Sequence, residues 1–168
     1  MKILSKYVKD IFYGANDGVV TTFAIVAGAV GASLDSGIIL ILGFAGLVAD
    51  AFSMASSNYL GTRSEQEIAA INGKTSNGSL YVPAFLTFIS FIVAGSFPLL
   101  PYVFGVDGSF LTAAIATGLT LFFTGAFLGH FVLHRSWFIW GVEMLAAGGV
   151  ASVIAFFIGR IVGQFIGT

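Results

Sequence analysis

The chain contains no cysteine, so disulfides, thiolate metal sites and cysteine nucleophiles are excluded. Charge is scarce: 9% of the 168 residues are charged, against about 25% in an ordinary soluble domain. Strand-like alternation of polar and apolar residues is absent, which argues against a β-barrel. No glycine-rich phosphate loop is present, so ATP-driven pumping by this chain has no support, and nothing suggests nucleic-acid binding. The first ten residues, MKILSKYVKD, lack a small-residue cleavage site after a short apolar core and do not read as a cleavable signal.

What the chain does have is apolar length. It is 57% hydrophobic, with a mean hydropathy of +0.98. A membrane span needs about 20 apolar residues. Five stretches qualify, at about 15–33, 37–60, 80–103, 109–131 and 137–166. The sequence therefore predicts an all-α polytopic membrane protein with one transmembrane domain over 1–168. "SLDSG" (33–37), "TSNGS" (75–79), "FGVDGS" (104–109) and "LHRS" (133–136) read as connections. Lys2, Lys6 and Lys9 alternate with Ile3, Leu4, Tyr7 and Val8, which predicts a short amphipathic helix over 1–13 lying at the interface.

The cations set the orientation. With five spans, Lys2, Lys6, Lys9, Arg63, Lys74 and Arg135 share one side, and only Arg160 lies near the other. The positive-inside rule then puts the N-terminus in the cytoplasm and the C-terminus outside. In a prokaryote that membrane is the cell membrane.

Glycine is abundant, at 22 residues. Gly14/Gly18, Gly125/Gly129 and Gly159/Gly163/Gly167 recur at four-residue spacing, which lets helix backbones approach closely in lipid. Either packing within the bundle or a subunit interface uses such spacing. Gly14, Gly18, Ala24, Gly28 and Gly31 beside a polar stripe would suit a subunit interface through spans one and two, which, with the family resemblance given below, leads to the expectation of a homodimer.

Polar residues at membrane depth are costly and mark function by default. Asp17, Asp50 and Glu143 are carboxylates there with no evident cationic partner within the spans. Unpaired acids of this kind either hold protons or face a cation that comes and goes. In "VADAFSMASSNYL", Asp50, Met54 and Asn58 fall at i, i+4 and i+8, with Ser53 and Ser57 alongside. Carboxylate alone suits Mg²⁺ or Ca²⁺, and an added thioether shifts preference towards Fe²⁺ or Mn²⁺. Asp17 alone could also be an acid welcomed by a helix start. Thr21 and Thr22 offer hydroxyls one turn deeper. Glu143 reads either as a protonatable group on the path or as a partner to a backbone donor. His130 and His134, at i and i+4, could hold a metal from one helix face or simply anchor the helix end. Trp137 and Trp140 read as an aromatic belt.

"YGANDGVVTTFAIVAGAVGA", then "ADAFSMASSNYLGTRSEQE", then "GSFPLLPY" resembles the vacuolar iron transporter family, in motif order and over nearly the whole chain. The resemblance implies a five-helix protomer and a homodimer with the ion path on its two-fold axis. It implies export of Fe²⁺ or a similar divalent ion from the cytoplasm in exchange for protons, with no permanently bound cofactor. By the same resemblance Asp17 and Met54 line the path and Asp10 stands at its entrance. Asp50 is then a nearby ligand or proton carrier, and Glu143, Thr21 and Asn58 are candidates for the proton or ion path. Family members with a long glutamate-rich domain between helices two and three differ from this chain, where residues 61–79 offer only Glu65 and Glu67 as acids. Metal capture on the cytoplasmic side would fall to these two and to His130 and His134.

Two other classes compete. A non-transporting membrane subunit would use its polar residues only to bond helices. An intramembrane hydrolase would need a base at depth, and Ser53 near Asp50 has no histidine there.

Overall fold

The computed structural model describes the backbone of residues 2–74, 78–106, 109–132 and 134–167, and the side chains of these except 2–6 and Val132. Among the described residues every regular element is a helix. In chain order these are α1 (Lys2–Gly31), α2 (Ser36–Ile71), α3 (Tyr81–Ser96), a 3-10 turn (Phe97–Leu99), α4 (Leu100–Val103), α5 (Ser109–Phe127), a π-turn (Leu128–Val132) and α6 (Trp137–Ile166). Five segments are long and apolar enough to cross a membrane: Tyr7–Gly31, Ser36–Ile71, Tyr81–Val103, Ser109–Phe131 and Trp137–Ile166.

Proline placement explains the helix lengths. The first proline in the chain is Pro83, so nothing breaks α1 or α2. Pro83 itself sits in the first turn of α3, where its missing N–H costs nothing. Pro98 and Pro101 fall at the other end and turn the helix through the 3-10 segment into α4. Three helices end in the same way. The residue after the cap turns left-handed at Ser33 (φ 59°), Gly73 (φ 67°) and Gly105 (φ 60°). Two backbone bonds then close each end, such as Gly105 N–H to the Tyr102 carbonyl and Val106 N–H to that of Pro101.

Two boundaries differ from the sequence reading. The amphipathic segment is helical, but it runs without a break into the first span as part of α1. Helix α2 continues past residue 60 to Ile71, because "GTRSEQEIAAI" is rich in helix formers and meets no breaker before Asn72-Gly73. Much of what read as a connection is therefore helix.

Helix α1 is the hub, packing against α2, α3, α5 and α6. Its glycines make this contact close. A methyl built on Gly18 would come 2.5 Å from the carbonyl oxygen of Phe91 on α3. One on Gly31 would strike the carbonyl of Phe156 on α6, and Gly28 lies directly against Gly159. Gly125 meets Trp140 and Gly141 in the same manner. The four-residue glycine spacing is thus used inside the protomer, and the expectation that α1 glycines form a dimer seam is corrected. Phe91 and Leu99 are fully buried beside this hub, while Phe52, Phe85, Phe123 and Phe157 face outward. In lipid, outward apolar side chains are solvated, so helix association rests on this close backbone contact.

Candidate functional site

One hydrogen bond sets the register of α1 against α2. The Asn58 amide donates to the Asp10 carboxylate at 2.7 Å. The two helices run in opposite directions, so seven residues inward from each partner come to Asp17 and Ala51. Asp17 accordingly faces the turn that carries Asp50, close enough for the two carboxylates to interact electrostatically. Met54 lies between these levels, one turn from Asn58 and one from Asp50. The stepped arrangement spans about 10 Å of helix.

The outer step opens into a cavity of about 780 Å³ between α1, α2 and α3, lined by Asp10, Met54, Asn58 and Glu65 among others. Four of the sequence-predicted site residues thus converge at one end of the bundle. Met54 also packs against the hydrophobic core, so it fills a gap while presenting part of its side chain to the cavity. Asp17 lies well inside α1. It is not at a helix start, so that reading of the acid falls away. Its carboxylate accepts a bond from Thr21 at 3.3 Å and is only half-buried.

Other residues lie elsewhere. Glu67 is turned away and pairs with Arg63 at 2.9 Å on the exposed extension of α2. His130 lies in the π-turn and lines a separate apolar groove with Phe123, Phe127 and Trp137. His134 is past that turn with φ 50°, so the two histidines do not share a regular helix face. The i, i+4 argument assumed α-helical geometry, which stops at Phe127. Glu143 is exposed on α6, outside the cavity lining. Among the described residues no three His, Asp or Glu side chains gather closely enough to hold a metal.

Sequence reasoning missed Thr87. It is buried on α3 and its hydroxyl oxygen accepts the second N–H of Asn58 at 2.9 Å. The hydroxyls of Thr87 and Ser90 within "AFLTFISF" carried the only signal, and hydroxyls bonding their own helix give the same pattern. Tyr7, Lys9 and Tyr13 also line the cavity. The sequence places them in a separate interfacial helix over 1–13, whereas α1 runs unbroken through them.

The sequence model of the VIT family matches residues 8–81 and 71–160. The chain belongs to the VIT family. The two matches meet in the α2–α3 connection, where this VIT-family chain is short. Vacuolar iron transporter homolog 4 of Arabidopsis thaliana is 30% identical over 174 residues, covering 95% of this chain and 86% of that protein. Vacuolar iron transporter 1 of Oryza sativa subsp. japonica is 25% identical over 209 residues, covering 89% of this chain and 82% of that protein. The vacuolar iron transporter of Toxoplasma gondii is 46% identical over 63 residues, which is 38% of this chain and 21% of that protein. The rice alignment is longer than the 168-residue chain, so that relative carries insertions absent here.

Proposed function

We propose that this protein is a secondary transporter that moves a divalent transition metal, Fe²⁺ or Mn²⁺, out of the cytoplasm in exchange for protons. The observation that carries the reading is the register bond between Asn58 and Asp10, which aligns Asp10, Met54, Asp50 and Asp17 in steps from an open cavity towards membrane depth. The names of the relatives agree with iron as cargo. The N-terminus and the cavity face the cytoplasm in this proposal, following the distribution of lysine and arginine.

Among the described residues no three His, Asp or Glu side chains of one protomer gather at a point, which favours a homodimer whose copies each give half of the site. With the α1 glycines engaged internally, the contact falls to α2. Ala45, Ala49, Ser53, Ser57 and Gly61 are all exposed on it at four-residue spacing, next to Asp50 and Met54. Small residues in such a row let two helices approach. Two copies would bring four carboxylates and two thioethers to one axis. Carboxylates gathered so closely share protons when no cation is present, and a bound divalent ion releases those protons. Metal and protons therefore compete for one set of oxygens, and that competition is the coupling.

Purified protein in liposomes should move Fe²⁺ or Mn²⁺ faster than Zn²⁺ or Ca²⁺, and faster with the matching pH gradient than without it. Metal flux no greater than that of empty liposomes for every ion would leave the non-transporting subunit as the correct reading.

A further inference from the structure

The Asn58 side chain ties three helices together at the cavity. Its amide nitrogen lies 2.7 Å from the Asp10 carboxylate on α1 and 2.9 Å from the Thr87 hydroxyl on α3. The orientation of the amide follows from chemistry. An ionised carboxylate only accepts hydrogen bonds. The Thr87 hydroxyl spends its own proton on the Pro83 carbonyl at 2.9 Å, so its oxygen accepts too. Both neighbours therefore demand N–H groups, and Asn58 has two. Its carbonyl oxygen is left to face Thr62, which donates at 3.4 Å.

This arrangement occupies one oxygen of Asp10, and Asp10 lines the cavity. The donor is neutral, so unlike an arginine or lysine it brings no positive charge of its own against a cation at Asp10. A carboxylate in place of the amide would add a second charge at the same point, and cation affinity rises with ligand charge. An alkyl group there would leave Asp10 free to rotate and Thr87 without its donor.

We propose that Asn58 is the positioning residue of the cavity mouth, fixing the Asp10 carboxylate towards an incoming divalent cation while keeping that first site weak enough to release it inward. The proposal rests on the transport reading above, and it assigns a separate role to a residue that need not touch the metal.

The test uses the full chain. Asn58→Leu has similar volume and removes both N–H groups. In liposomes it should raise KM for Fe²⁺ about tenfold with kcat changed less than about twofold, the scale expected for losing a hydrogen bond to a charged group. In an Asp10→Asn background the same change should alter KM less than about twofold, because the group it positions is gone. An unchanged KM, or an equal factor in both backgrounds, overturns the proposal.

Asn58→Asp, nearly isosteric, gives a reading independent of transport and of whether the leucine variant folds. Mn²⁺ binding to detergent-solubilised protein, followed by electron paramagnetic resonance, should tighten about tenfold through the added ligand charge. Unchanged Mn²⁺ binding overturns the proposal. Tightened binding in a protein whose parent moves no metal would support the role of Asn58 and reject the transport reading instead.

Discussion

Thr21 donates to the Asp17 carboxylate from one turn deeper in the same helix, over 3.3 Å. The bond holds one oxygen of Asp17 along the helix wall. Asp17→Asn keeps this shape but removes the charge and most of the ligand strength. It should abolish metal flux in liposomes while leaving the protein folded by size-exclusion profile. Thr21→Val should be much milder, since the bond is long and its loss leaves the Asp17 charge in place. Wild-type flux from Asp17→Asn would show that the site is misplaced.

Met54→Leu keeps volume and packing against the core but loses the sulfur. Competition assays should show Fe²⁺ weakened more than Mg²⁺ or Ca²⁺, because only the softer ion gains from a thioether. Equal losses for all three ions would mean that Met54 acts by packing alone.

The glycines separate into two groups. Gly18 meets the backbone of Phe91, which cannot yield, whereas Gly149 has open space around its α-carbon. Gly18→Leu should destabilise the fold by about 3 kcal/mol or more, at the upper end of overpacking effects. Gly149→Ala should match or slightly exceed wild type, as alanine is the better helix former. A thermal-unfolding assay in detergent reads both, and equal tolerance at the two positions would contradict the packing of α1 on α3.

The absence of cysteine makes cross-linking clean. Single cysteines at Ala49, Ser53 and Ser57 should give disulfide-linked dimers in the membrane. Cysteines at Gly14 and Gly28 should not, because those positions face α3 and α6. Cross-linking confined to α5 or α6 would move the subunit contact away from Asp50 and Met54.

Topology follows from the count of spans. Labelling of introduced cysteines should place residues 70 and 135 in the cytoplasm, and residues 35 and 104 outside. Residues 70 and 35 on the same side would remove the hairpin formed by the first two spans.

The sequence by itself determined the class of protein and named the candidates for its site. Long apolar runs admit only helices in lipid, since each must satisfy its own backbone hydrogen bonds. Carboxylates at depth stand out because lipid makes them costly, so Asp17 and Asp50 were legible without coordinates. Met54 and Asn58 followed from helical periodicity alone. Tertiary structure decided which of the candidates meet. Periodicity places Asp10 and Asn58 each on its own helix, but only packing sets the register that joins them. Thr87 entered the site for the same reason, from a helix whose own pattern carried no functional mark. The glycines of α1 looked equally suited to a neighbour within the chain or to a second copy, since close approach needs the same spacing in both cases. Contact with Phe91 and Gly159 assigned them to the protomer and left the small residues of α2 free. His130 and His134 kept their spacing but lost their shared face, because the chain leaves α-helical geometry after Phe127, which residue spacing alone does not reveal.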